Sequence, residues 1–263
     1  MEGHGLECDG EVLGVRIMTR PWSACSIHEC GEPLEPLPSV LHCLRPHPYQ
    51  RLGAPYGEGA DPFRLRRGVC ERLIRAEQQL QQWDASLRLA IFDAWRPVAV
   101  QAFMVEHAVA EECRRHGLDP TGSDQPVLRQ ELRRRVGRFW APPSVDPATP
   151  PPHSTGAAVD LTLADRDGTP LDMGGAIDAI DAVSEPEFHA AAAAADPESE
   201  AALWHQRRCL LADCLHIQGL VRHPNEWWHF SFGDQLWAWR TQAPSARYGR
   251  VDQVGASAGS PTA

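Results

Sequence analysis

Two short segments of this 263-residue chain concentrate side chains that could hold and use a metal ion. The first, His153-Ser154-Thr155-Gly156-Ala157-Ala158-Val159-Asp160, sets an imidazole in a turn and a carboxylate on the strand that follows. Gly156 can take backbone angles closed to other residues, so the turn can fold His153 back toward the end of that strand. The second, Asn225-Glu226-Trp227-Trp228-His229, supplies another imidazole with a carboxylate ahead of it. A catalytic zinc takes three protein ligands of histidine and carboxylate type and leaves a fourth position for water. His153, Asp160 and His229 meet that requirement for one ion per chain, with Glu226 as general acid/base. On a regular strand Glu226 and His229 would face opposite ways, so the pairing predicts that Pro224-Asn225 bends the chain at Glu226. Each segment alone is weak, because a histidine beside an apolar strand is more often a hydrogen-bonded core or surface residue than a ligand.

The elements that must position these groups follow from periodicity. Val69, Leu73, Ala76, Leu80 and Trp83 recur at helical steps within Gly68 to Trp83. Leu87 to Ala94 reads as a buried strand, which Arg96-Pro97 ends while opening a helix that runs to about His116 and stops at Gly117. Arg96 is thereby placed at a strand's end. Another helix starts near Ser123-Asp124 and carries Arg133-Arg134-Arg135, a solvated face in so acidic a chain. Six prolines between Ala141 and Pro152 make an irregular connection that delivers the chain to His153. Val159, Leu161 and Leu163 then alternate against Asp160 and Thr162 as a half-buried strand. Glu185 to Glu200, with alanine from 190 to 195, reads as a low-complexity insertion, and a helix with Leu203, Leu210, Leu211, Cys214 and Leu215 follows and stops at Gly219. Trp228, Phe230 and Phe232 form a last core strand. The expected organisation is a single domain over 1–243 and a disordered tail over 244–263.

Composition narrows the function classes. Acidic residues outnumber basic ones 35 to 25, a balance that phosphate backbones disfavour, so nucleic acid is not an expected partner. All 25 basic residues are arginine, which excludes Schiff-base, pyridoxal-phosphate and P-loop lysine chemistry. Met1 to Gly14 lacks the apolar core of a secretory signal, and no run approaches the length of a membrane span. The eight cysteines have no CxxC spacing and read as buried thiols in a reducing cytoplasm, which is the expected location. Nothing in the sequence specifies an oligomeric state.

Three motifs in order, Asp93-Ala94-Trp95-Arg96-Pro97, His153 to Asp160 and Glu226 to His229, resemble the D-alanyl-D-alanine dipeptidases, the VanX-like branch of the zinc peptidases. That group also includes D,D-carboxypeptidases and resembles the signalling domain of hedgehog proteins. The likeness runs from about Val15 to Trp239, including Glu32-Pro33-Leu34 and Gly53-Ala54-Pro55-Tyr56-Gly57, and leaves the alanine insertion and the tail unmatched. It implies an α+β fold in which a small antiparallel sheet carries the zinc site against several helices. Carried over by position, it implies zinc on His153, Asp160 and His229, acid/base chemistry at Glu226, oxyanion stabilisation by Arg96, and a substrate-ammonium contact at Asp178. Pro151 departs from the pattern, since family members usually have serine there and its side-chain contact is lost. The implied substrate is a small dipeptide such as D-alanyl-D-alanine.

Plainer readings stand beside these. Arg96 could close a strand end by pairing with Asp93 or a backbone carbonyl. Asp178, in Gly-Gly-Ala-Ile-Asp, could cap a helix that begins there. Trp227 and Trp228 read as a wall that excludes water rather than as a stacking platform. His47, His223 and the remaining histidines match no second ligand pattern, and His28-Glu29 does not continue into HExxH. The rival functions are a D,D-carboxypeptidase or endopeptidase acting on cell-wall peptides, and a zinc-stabilised binding module without turnover.

Overall fold

The computed structural model describes residues 20–251, so the part of the resemblance before Arg20 and the end of the tail lie outside it. Its strands are β1 (Leu34–Pro36), β2 (His42–Cys43), β3 (Arg64–Arg66), β4 (Leu87–Asp93), β5 (Ala158–Asp165), β6 (Val221–Arg222) and β7 (His229–Ser231). Its helices are α1 (Pro48–Arg51), α2 (Arg67–Trp83), α3 (Val98–Arg115), α4 (Pro126–Phe139), α5 (Ala190–Ala195), α6 (Glu200–His216) and α7 (Gln235–Thr241).

The main sheet has the order β2-β4-β5-β7-β6, and β1 pairs with β3 in a separate antiparallel ribbon. The fold is α+β as expected, but the sheet is mixed: β2 runs parallel to β4, while β4, β5, β7 and β6 are antiparallel in turn. The parallel pair is only His42–Cys43 beside Ala90–Ile91, extended by a bond from Leu44 N to Ile91 O at 2.9 Å. So short a strand has no hydrophobic period to read.

One core joins the sheet to α2 and α6. It gathers Leu73 and Leu80 from α2, Leu89 and Ile91 from β4, Leu161 and Leu163 from β5, and Leu211 and Leu215 from α6. Each such side chain, fully buried, contributes roughly 1.5–3 kcal/mol of transfer free energy. The predicted stripe of α2 is borne out at Val69, Leu73, Ala76 and Leu80, whereas Trp83 at the final turn is 45% exposed. The start of α2 is held by Glu32, whose Oε2 accepts from Gly68 N at 2.8 Å, a carboxylate where the helix dipole favours one. A second core packs α3 on α4 around Val100, Met104, Val109, Leu132 and Val136, with Tyr49, Tyr56 and Trp140 at its edge.

Two further expectations meet the structure differently. Within 185–200, Ala190–Ala195 forms α5, which buries no residue. The expected disorder from 244 onward does not hold for the part described. Ala246 and Tyr248 are fully buried, Ala246 bridges to Ile27, and the Tyr248 hydroxyl donates to Glu32 at 2.8 Å. The small, polar composition of this segment conceals one aromatic anchor that seats it.

Candidate active site

Strand register builds most of the site. Asp160 on β5 lies directly opposite Asp93 on β4 and directly opposite His229 on β7. Directly opposed residues of antiparallel strands share a face, so these three side chains form a row across the sheet. The β4–β5 register shifts between Ile91 and Asp93, a bulge of the kind that re-aims a side chain beside a site.

His153 reaches the row from a 3-10 turn over Pro152–Thr155 that closes at Gly156 in the left-handed region, φ 69°. The left-handed angle requires glycine, and a Cβ there would also push the Leu34 side chain aside from 2.4 Å. The turn is fastened to the Arg96 segment: Arg96 N donates to His153 O at 3.2 Å and Ser154 Oγ to Arg96 O at 2.7 Å. Ser154 is therefore a structural clasp.

Ligand atoms from His153, Asp160 and His229 all lie within 4.8 Å of one another, and all three residues are buried. His153 Nδ1 bonds the Ala94 carbonyl at 2.6 Å, which assigns the proton to Nδ1 and leaves a lone pair on Nε2. That Nε2 faces Asp160 Oδ2 at 3.2 Å and His229 Nδ1 at 3.2 Å. His229 Nδ1 is in turn 3.0 Å from Asp160 Oδ1. A nitrogen lone pair against an ionised carboxylate oxygen repels unless a cation lies between them. Burial works against the Asp160 carboxylate, and positive charge between it and the two imidazoles, a proton or a cation, outweighs burial and holds its pKa far below the ordinary value. Two imidazoles and an anionic oxygen are a donor set suited to zinc, so the three residues form a site capable of coordinating the ion.

Glu226 sits in the loop joining β6 to β7, after a turn at Pro224 and Asn225, where the expected break in regularity is found. Bonds from His223 N to His229 O and from Trp227 N to Ser184 O, both 2.9 Å, pin the loop. The carboxylate oxygens approach His223 Nδ1 at 3.7 Å and His229 Nδ1 at 3.6 Å, too far for hydrogen bonds. Burial, and then the nearby Asp160 charge, push its pKa up to about 8. A dication in the site would act in the opposite sense.

Arg96 is 4% exposed and makes the strand-end pairing with Asp93 that its plainer reading asks for. Nε and Nη2 donate to Asp93 Oδ2 at 3.0 and 2.8 Å, Nη1 donates to Gln101 at 2.9 Å, and Nη2 also faces Asp160 Oδ2 at 3.4 Å. Tyr49 and Trp140 flank the guanidinium at 5.1 and 5.0 Å. Asp93 is held from its other side by His47 Nε2 at 2.9 Å.

Asp178 caps no helix. It has φ 65°, and the next helical turn, Ala182–Ser184, takes its cap from Asp181. Its Oδ2 instead accepts from the Tyr49 hydroxyl at 2.8 Å and it lines the cleft over the metal-ligand row. Burial and then Asp160 raise its pKa to about 7. Trp227 and Trp228 are 2% exposed and pack edge-on at 5.4 Å, which fits their expected walling role. The groups that sequence reading leaves out are His47, Tyr49, His223 and Arg20. Tyr49 and Asp178 are 129 positions apart, and no local pattern joins them.

The cleft is narrow, about 30 Å³, and shares Arg20, Ala141 and Pro152 with a wider cavity of about 780 Å³. Among the described residues no other group of three or more His, Cys, Asp or Glu could hold a metal.

The peptidase family profile described as D-ala-D-ala dipeptidase matches residues 43–246. The D-alanyl-D-alanine dipeptidase of Synechocystis sp. (strain ATCC 27184 / PCC 6803 / Kazusa) is 43% identical over 245 residues, covering 89% of this chain and 97% of the relative. That of Escherichia coli (strain K12) is 38% identical over 78 residues, 30% of this chain and 36% of the relative. Among solved structures, a vancomycin-resistance D,D-pentapeptidase in complex with Zn(II) aligns over 83% of this chain and 94% of its own, at 12% identity and a TM-score of 0.42, too remote to carry an argument.

Proposed function

The chain belongs to the D-alanyl-D-alanine dipeptidase family, and from that premise we propose that it hydrolyses the peptide bond of D-alanyl-D-alanine or a similarly small dipeptide, with one zinc held by His153, Asp160 and His229. The observation that carries this reading is the convergence of those three ligand atoms beside Glu226, a buried carboxylate that no hydrogen-bond donor reaches among the described residues. Zinc bound there would polarise the scissile carbonyl and lower the pKa of water toward neutrality.

Glu226 takes the proton of the attacking water and returns it to the leaving amine as the C–N bond breaks, yielding one new carboxylate and one new amine. Its lack of competing donors supports that role. Arg96 offers N–H groups to the oxyanion that develops on the carbonyl, and a fixed donor of this kind is worth about 3 kcal/mol or more. The Asp93 clamp supports the role by holding the guanidinium ready before substrate arrives. Asp178 pairs with the substrate ammonium, and the Tyr49 hydroxyl sets the direction of its carboxylate.

We place the protein in the cytoplasm, a location supported by the seven described cysteines, all free thiols. Among the described residues no helix is long and apolar enough to cross a membrane.

The test is a substrate comparison on zinc-loaded protein with metal content measured on the same sample. Free D-alanyl-D-alanine should be cleaved faster than a longer peptide ending in the same pair. A preference for the longer peptide would make the chain a carboxypeptidase instead. Stoichiometric zinc without turnover of either would make it a binding module.

A further inference from the structure

Two arginines line the cleft, and only one of them is committed. Arg96 gives most of its N–H donors to Asp93 and Gln101. Arg20 makes one hydrogen bond among the described residues, a long 3.4 Å contact from Nη2 to Gly137 O, and has no carboxylate within ion-pair distance there. A guanidinium carries five N–H donors in a rigid fork that matches a carboxylate, so most of this one is left for a ligand.

Arg20 is nevertheless held in place. It precedes the 3-10 turn Pro21–Ala24, whose Trp22 is buried edge-on against His223 at 5.6 Å and tilted on Trp239 at 5.8 Å. Gln235 Nε2 fastens the same turn by donating to Ser23 O at 3.2 Å and Cys25 O at 2.7 Å. Ala141 and Pro152, which border both the cleft and the wider cavity with Arg20, carry no side-chain donor.

We propose that Arg20 is a specificity-determining residue that binds the free carboxylate of the substrate's C-terminal residue. This rests on the dipeptidase reading. Glu226 protonates the leaving amine, so the residue beyond the scissile bond lies on the Glu226 side of the site. Arg20 is on that side: Trp22, two residues on, packs against His223 at 5.6 Å, and His223 Nδ1 lies 3.7 Å from the Glu226 carboxylate. The charges that bear on Asp178 are those of Asp160, Arg96 and Asp93. Asp178 and Arg20 thus bracket the substrate, one at each charged end. A chain continuing past that residue would present an amide where Arg20 needs an anion, leaving a half-buried cation unpaired.

The full-length Glu226→Gln protein, loaded with zinc, should turn substrate over about 10²- to 10⁴-fold more slowly, so calorimetry can compare the binding of D-alanyl-D-alanine with that of its C-terminal amide. With Arg20 present the acid should bind about 10- to 100-fold more tightly than the amide. Arg20→Ala and the bulkier Arg20→Gln should bring that ratio close to one by weakening the acid, and Arg20→Lys should recover part of it. A ratio of dissociation constants does not depend on the folded fraction, so an unstable variant still reports. An acid-to-amide ratio that survives both Arg20→Ala and Arg20→Gln overturns the proposal alone. If the Arg20 protein binds neither dipeptide, the dipeptidase reading fails and takes the proposal with it.

Discussion

The metal-ligand row and the rim of the cleft are built by opposite means. Asp160 and His229 project from hydrogen-bonded strands, where register sets direction and neighbours share every restraint. Glu226, Asp178 and Arg20 all project from irregular backbone: a hairpin loop, a left-handed residue and the entrance to a 3-10 turn. A ladder is suited to holding ligands a few ångströms apart without adjustment. Loops free a side chain from the strand period, so groups that meet a substrate from several sides can be aimed separately.

Substitutions that separate the two regions should have distinct signatures. The largest effect is expected in the row: His229→Ala should bring the metal content from one per chain to near zero and kcat/KM down by about 10³-fold or more. Metal analysis and kinetics on one preparation check it, and retained zinc would break the assignment of the row. Glu226→Gln should leave zinc in place and KM little changed while kcat falls about 10²- to 10⁴-fold. A variant that lost its metal would merge rim and row. Asp178→Asn should act on binding, raising KM about 10- to 100-fold with a much smaller change in kcat. Should kcat fall instead with KM unchanged, Asp178 serves the chemistry and not the ammonium.

The same division explains what could be read in the sequence. Val159, Leu161 and Leu163 announce β5, Gly156 announces the turn, and the proximity of Glu226 to His229 forces a bend that Pro224 supplies. These are local signals, and they locate the three residues of the metal site and the bend at Glu226. The parallel β2 has two residues and no period to detect. Tyr248, buried in a segment of tail-like composition, has only its aromatic ring to mark it. Tyr49 meets Asp178, and Arg20 enters the cleft, through packing between distant parts of the chain. An isolated arginine after a threonine and before a proline carries no mark of that.

The smallest expected effect concerns what the rim costs when the row holds no cation. Glu226 has a folded pKa raised from 4.5 to about 8, first by burial and then by Asp160. Between those values the folded chain keeps a proton that the unfolded chain has released, so stability must fall as pH rises. Asp178 acts in the same sense up to about 7. Burial drives the His223 pKa down, below 6.5, which works the other way, but only in the range where the unfolded histidine is protonated. From pH 6.5 to 8 the carboxylates therefore dominate, and chelated protein should lose about 1 kcal/mol per pH unit in denaturant unfolding. Zinc favours the ionised Glu226, so the loaded protein should show a flatter line and the stabilisation by metal should grow with pH. The Glu226→Gln variant, when chelated, should flatten as well, which ties the slope to that side chain. A chelated wild-type protein with no slope over this range would mean that Glu226 is as well solvated as a surface carboxylate, and the cost assigned to the rim would go with it.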